Sequence, residues 1–266
     1  MVWSLTWEGL DMVVKGGSTV MESEARMTEL ARELTGLPIP KVYGVLHDGD
    51  STLIYFEKLP GTQLDLVFDH FSDEKRRIVK KELLDSFSCL RATAPNGSHG
   101  AHGLVGGCPP FSLSAICAYY PISPPPIHTA RELHAYLQQE FFRAMPQLAR
   151  RYKKEIAPQL TRHHRAPLIL VHGNLHPGNI LIDNEGRVCG VLDWERAGWY
   201  PAWVESYVLL LQCLDHNRPV DFFVAEAAVG CSPAWHEPDE PRGLGRYKFQ
   251  DTDWMSLAAR GWLYRS

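Results

Sequence analysis

The amino-acid sequence predicts an α+β protein of two lobes, a small strand-rich one over residues 1–58 and a larger, mainly helical one over residues 59–266. Three observations predict it. The first 58 residues read as strand, helix, strand and strand. After Leu59-Pro60-Gly61 the apolar residues change to helical spacing. Farther on, a short apolar strand and a hairpin bracket a loop dense in polar side chains. A chain of 266 residues can bury roughly 70–75% of its unfolded surface, enough for a core without disulfide staples.

Each element has its own justification. Trp3, Leu5 and Trp7 alternate with polar residues, Glu8-Gly9 reads as a turn, and Met12-Val13-Val14 is a second short apolar run. Thr19 and Glu22 have the spacing of a capping box. Met27, Leu30, Ala31 and Leu34 then recur at helical spacing until Gly36 and Pro38 stop the helix. Residues 41–46 and 52–57 read as strands around a polar turn at 47–50. The link between the lobes falls at 58–63. Beyond it, Val79, Leu83, Phe87 and Leu90 share one helical face. A long glycine-rich loop begins at Gly97 and is followed by the proline run at 121–126. Thr129 and Glu132 repeat the capping-box spacing ahead of Leu133, Tyr136, Leu137 and Phe141. Residues 168–171 form a buried strand by their apolar run, and 180–182 and 188–192 flank a turn at 183–186 as a hairpin. Residues 203–214 read as a buried helix.

Composition narrows the function. Twenty-seven basic against 31 acidic residues give a net charge of −4, so no strongly basic surface marks a nucleic-acid partner. No apolar run reaches the ~18–20 residues of a membrane span, and the N-terminus lacks the basic start and apolar core of a secretory signal. The six cysteines, 89, 108, 117, 189, 213 and 231, include no C-x-x-C pair. They read as idle thiols of a reducing compartment, which places the protein in the cytoplasm. No nucleophile-elbow or P-loop motif occurs.

The densest chemistry lies in Val171-His-Gly-Asn-Leu-His-Pro-Gly-Asn-Ile-Leu-Ile182 and Val191-Leu-Asp-Trp-Glu195. A buried strand delivers His172, Asn174, His176 and Asn179 on a loop, and a hairpin delivers Asp193 at the end of its second strand. Polar groups on loops fixed by a rigid base are where sites are built. His172 and His176 stand four apart, as in helical zinc sites, but Gly173 and Pro177 break any helix and the glutamate of H-E-x-x-H is missing. Taken alone, Lys15 and Glu24 would read as a surface ion pair.

Together with Gly198-Trp-Tyr-Pro201, these segments resemble the aminoglycoside phosphotransferase and choline kinase-like family, in the form carried by its fungal-type members, with Asp193-Trp-Glu-x-Ala-Gly-x-x-Pro201. Val13-Val-Lys15, Glu24-Ala25 and Ile39-Pro-Lys-Val-Tyr43 look like the same family's N-terminal lobe. The resemblance implies a bilobal protein-kinase-like fold and transfer of a phosphoryl group from ATP, with Mg²⁺, to a hydroxyl of a small molecule. It implies that Lys15 touches the nucleotide phosphates, that Glu24 orients Lys15, and that the segment Tyr55 to Leu59, with Glu57 and Leu59, is a hinge whose backbone meets the adenine. It further implies that His172 supports the loop and that Asn179 and Asp193 bind Mg²⁺, with Glu195 holding those ligands in place or binding a second metal.

Two departures qualify it. Asn174 stands where the family has the aspartate that accepts or orients the substrate hydroxyl. A neutral amide cannot take a proton, and losing a general base typically costs about 10²–10⁴ in rate. An inactive nucleotide- or partner-binding protein, and a fold repurposed for other chemistry, therefore stay open beside a weakened kinase. The second departure is the glycine-rich phosphate loop, which should precede the strand of Lys15. Only Gly9 lies there, so the N-terminal lobe is expected to be truncated, with one hairpin at most over the phosphates. Glu205 and Asp215 are candidate acids of the acceptor pocket, against a blander reading as solvated surface acids.

Overall fold

A computed structural model describes residues 1–93, 127–133, 135, 136, 139, 168–201, 204, 205, 208, 209 and 218–230. It opens on a hairpin of β1 (Val2–Trp7) and β2 (Leu10–Gly17). Glu8 and Gly9 turn it, both at positive φ, 50° and 79°. That conformation matches the twist of the flanking strands and suits glycine at the second position. β3 (Val42–Asp48) and β4 (Ser51–Glu57) complete an antiparallel sheet in the order β1-β2-β4-β3.

Register decides where Lys15 points. Lys15 pairs with Ile54, and residues directly opposite in a sheet share a face. Ile54 is fully buried against Ala25 of α1 (Glu22–Thr35). Lys15 therefore lies on the face that α1 covers, while Met12 and Val14 are buried on the other.

The expected capping box of Thr19 and Glu22 does not form. Met21 is the N-cap and gives no side-chain hydrogen bond. Glu22 is the first helical residue rather than the third, so its carboxylate pairs forward with Arg26 at 2.7 Å instead of reaching back. Glu22 and Glu24 still place negative charge on the first turn, where the helix dipole favours it. Gly36 ends the helix in the left-handed region at φ 66°. Met27 and Ala31 are buried, and Leu30 and Leu34 pack partly buried beside them.

The link after β4 leads into β5 (Thr62–Gln63), which pairs with β7 (Ile180–Ile182), and then α2 (Leu64–Val67). Gly61 has φ 105°, and a Cβ there would run into the Cys189 sulfur and come within 3.1 Å of the Ile182 carbonyl oxygen. Gly61→Ala is expected to cost about 1–3 kcal/mol, read as a lower urea midpoint. An unchanged midpoint would show that the link is not fixed here.

α3 (Asp73–Ala92) starts on Ser72, whose hydroxyl accepts from the Lys75 amide at 3.3 Å. Its four stripe residues are all buried. The second capping box does form. The Glu132 amide donates to Thr129 Oγ1 at 3.1 Å, and the Glu132 carboxylate accepts from the His128 amide at 2.7 Å, one residue before the cap. Leu137, Phe141, the glycine-rich stretch from Gly97, the proline run and the chain after Gly230 lie outside the described residues.

β6 (Leu168–Val171) pairs antiparallel with β9 (Gly198–Pro201), a partner that the sequence reading did not foresee. β7 and β8 (Val188–Val191) form the expected hairpin. Asp183 holds its turn by accepting from the Glu185 and Arg187 amides at 2.8 and 2.9 Å. α4 (Pro219–Gly230) packs on α3. A single core cluster joins Met27 and Ala31 of α1, the α3 stripe, and Leu170, Leu175, Ile180, Val191 and Trp194 around the polar loop. The loop thus sits on packed hydrophobic elements on both sides. Among the described residues no helix is long and apolar enough to cross a membrane.

Candidate active site

The site starts where β6 ends. His172 follows the strand and is fully buried. Its Nδ1 accepts from the Asn174 amide at 3.1 Å. The other nitrogen, Nε2, therefore carries the hydrogen and donates to the Leu192 carbonyl at 2.8 Å. Burial pulls the His172 pKa down to about 4, so the ring is neutral. It is a strut between the loop and the end of β8, and its ring lies 4.5 Å from that of Trp194.

The loop is pinned from below by Glu205. This fully buried carboxylate accepts from the His172 and Gly173 amides at 2.6 and 3.2 Å through Oε2. Among the described residues its Oε1 is buried with no hydrogen-bond partner. Burial, against the pull of those amides and of Arg91, pushes its pKa up to about 7. Glu205 is thus not a solvated surface acid. It turns inward from a helical stretch in which Val204, Val208 and Leu209 are also buried. An acid inside the apolar run 203–214 was the available sign. Asp215 lies outside the described residues.

Past Asn174 the loop makes a 3-10 turn over Pro177–Asn179, capped by His176 Nδ1 accepting from the Gly178 amide at 3.0 Å. Asn179 Nδ2 donates to the Asn174 carbonyl at 2.9 Å. The Leu192 amide donates back to the Asn179 carbonyl at 2.9 Å, tying the loop to the residue before Asp193. Asp193 stands at φ 66°, ψ 65°, a left-handed conformation that a non-glycine residue keeps only when its surroundings hold it.

Lys15 crosses from the N-terminal sheet into this group. Its ammonium donates to Asp193 Oδ1 at 2.6 Å, to Glu195 Oε2 at 3.0 Å and to Glu24 at 3.0 Å. An ammonium has three hydrogens, and all three are used. Burial alone would lower its pKa, but the charges of Asp193 and Glu24 outweigh this and hold it well above the ordinary lysine range. Asp193 faces the same contest, and Lys15 holds its carboxyl below the usual range despite burial. Glu24 goes the other way. Burial pushes it up to about 7 against the attraction of Lys15, and the neighbouring Asp193 and Glu195 push in the same direction. One ammonium cannot balance three carboxylates, and the most buried of them gives way first.

Ligand oxygens of Glu24, Asp193 and Glu195 lie within 4.8 Å of one another. The amide nitrogen of Asn179 is committed to a carbonyl, which leaves its Oδ1 as the atom for a cation. Carboxylate and amide oxygens with no imidazole or thiolate among them suit a hard ion such as Mg²⁺, so the residues present fit that metal.

The structure brings Lys15, Glu24, Asn174, Asn179, Asp193 and Glu195 into one connected set, with His172 directly behind it. Glu57 and Leu59 stand apart. Glu57 ends β4, where its amide and carboxylate engage the Lys41 backbone at 2.8 and 3.0 Å, and Leu59 lies half-buried in the link. Glu205 is the site residue whose role the sequence reading missed.

Comparison with known proteins sets this geometry in a family. The curated "Uncharacterized protein YcbJ" of Bacillus subtilis (strain 168) is 64% identical over 28 residues, 10% of this chain and 9% of that protein. Similar solved structures include a gentamicin complex of APH(2'')-IIa, at 14% identity over 86% of this chain and 78% of that one, TM-score 0.47. They also include a macrolide 2'-phosphotransferase type I, at 16% identity over 87% and 72%, TM-score 0.45. ADP-bound APH(2'')-Ib is similar at 12% identity over 98% and 92%, TM-score 0.49. The model of the phosphotransferase enzyme family, APH, matches residues 2–241, nearly the whole chain. The chain belongs to the APH phosphotransferase family.

Proposed function

We propose that this protein is a small-molecule kinase that binds ATP with Mg²⁺ between a lobe of residues 1–58 and a lobe of residues 59–266, and phosphorylates a hydroxyl group. The observation that carries this reading is the bond of Lys15, already paired to Glu24, with Asp193 beside Asn179. Phosphoryl transfer needs a fixed cation at the phosphates and hard oxygen donors for a metal, and its loose transition state leaves most of the work to positioning. Lys15 holds the phosphates, and Glu24 holds Lys15. The Asn179 and Asp193 oxygens hold the ion, which when bound neutralises phosphate charge. The backbone of the hinge from Tyr55 to Leu59, with Glu57 and Leu59, meets the adenine. Asn174 orients the acceptor hydroxyl without taking its proton, so turnover is slow. Cys89 and Cys189 are free thiols, in keeping with a reducing, cytoplasmic setting.

One observation favours a second reading, an inactive nucleotide-binding protein. The Asn174 amide nitrogen already donates to Asp193 at 3.1 Å. Thermal shift with Mg·ATP, on the wild type and on Asp193→Ala, separates the readings. Binding is expected to raise Tm in the wild type, and Asp193→Ala to abolish the metal-dependent part. Asn174→Asp is expected to raise ATP turnover with small alcohols by about 10²-fold or more. Zero turnover with Mg·ATP still binding leaves the second reading. No shift with nucleotide or metal ends both and moves a fold repurposed for other chemistry forward.

A further inference from the structure

The amide of Asn174 does work that a carboxylate at the same place could not. Asp193 Oδ1 accepts from Lys15, and Oδ2 accepts from Asn174 Nδ2 at 3.1 Å and from Asn179 Nδ2 at 3.4 Å. An ionised carboxylate only accepts, so the atom of Asn174 that faces it has to be the nitrogen. Both oxygens of Asp193 are thus held by donors of the chain itself. Its left-handed backbone at φ 66° needs such holding. The charge count sharpens the point. Lys15 already faces Glu24, Asp193 and Glu195. A fourth acid about 3 Å from Asp193 could stay only with a cation or a shared proton between the two.

We propose that Asn174 is a positioning residue that holds Asp193 in its site conformation without a divalent ion, making the cross-link that an ion would otherwise make. The metal face of the site is then built before any metal arrives. This rests on the proposed metal role of Asn179 and Asp193, but its test uses no nucleotide and no turnover.

The experiment is thermal unfolding of the whole chain in chelator and in millimolar Mg²⁺ alone. Wild type is expected to melt within about 1 °C in the two conditions. Asn174→Asp is expected to melt about 4–8 °C lower in chelator, and Mg²⁺ is expected to restore at least half of that loss. Asn174→Ala, which removes the donor without adding charge, is expected to melt lower in both conditions with no recovery. An Asn174→Asp protein as stable as wild type in chelator would overturn the proposal, as would Mg²⁺ raising both equally. Should Asn174→Asp fail to fold in chelator, amide exchange of the wild type decides. Slow exchange at Leu192 to Trp194 in chelator is expected, and exchange that slows only on adding Mg²⁺ would overturn the proposal. Failure of the kinase reading shows separately, as absence of any Mg·ATP shift in wild type.

Discussion

Lys15→Met is expected to lower the unfolding free energy by about 3 kcal/mol and to abolish the Mg·ATP shift. Breaking a buried pair by removing one partner costs ~3–5 kcal/mol because the other charge stays buried and uncompensated. The lower end applies because Asp193 and Glu195 are partly exposed and can recover water, whereas Glu24 is 2% exposed and cannot. The loss should depend on pH with a definite sign. Burial already lifts the folded pKa of Glu24 from 4.5 to about 7, and removing Lys15 lifts it further. A carboxyl raised in the fold is protonated there while the unfolded chain is ionised. The folded state then binds more protons, and stability falls as pH rises above 4.5. The part of the Lys15→Met deficit that comes from Glu24 should therefore stay constant below about pH 7, where Glu24 is protonated in both folded proteins, and grow above it, measured as denaturant midpoints from about pH 5 to pH 9. A deficit that is flat across that range would mean that Glu24 is not the charge left behind.

How much of this could be read in advance follows from the range of each interaction. The α3 stripe and the β7–β8 hairpin are local patterns, and the chain carries them in consecutive residues. The Glu8-Gly9 turn is legible for the same reason. The start of α1 was misplaced because a cap depends on which residue first takes helical dihedrals, and Thr19 and Glu22 show only a spacing. The pairing of β9 with β6 spans the whole loop and hairpin, and Gly198 and Pro201 hide a strand of four residues. At the site, residue types and order point to Lys15, Glu24, Asn179 and Asp193, because metal and phosphate chemistry demands those groups. Nothing in the sequence says that the nitrogen of Asn174 faces Asp193, since that direction is set by a neighbour 19 residues away.

Glu205 gives the second large expectation. Glu205→Ala leaves the His172 and Gly173 amides buried without their acceptor, and each such orphan costs about 1–3 kcal/mol. Part of this is offset, because the carboxylate itself is costly to bury. The net loss should be about 2–4 kcal/mol, with a weaker Mg·ATP shift as the loop from His172 to Asn179 loosens. Glu205→Gln is the discriminating variant. It keeps an oxygen for both amides and removes the titration. Burial raises the Glu205 pKa from 4.5 to about 7, so wild type should lose stability as pH rises through that window and level off above it. The bound on that loss is about 3 kcal/mol for this one group. Glu24 titrates over the same window with the same sign, and His172, neutral in the fold and charged when unfolded below its ordinary pKa, with the opposite sign, so Glu205→Gln should flatten the slope nearly completely below about pH 6.5. An undiminished slope would show that Glu205 stays charged in the fold and holds the loop by charge. A flattened slope with the Mg·ATP shift kept would show that it holds the loop by hydrogen bonds alone, through the His172 and Gly173 amides on Oε2.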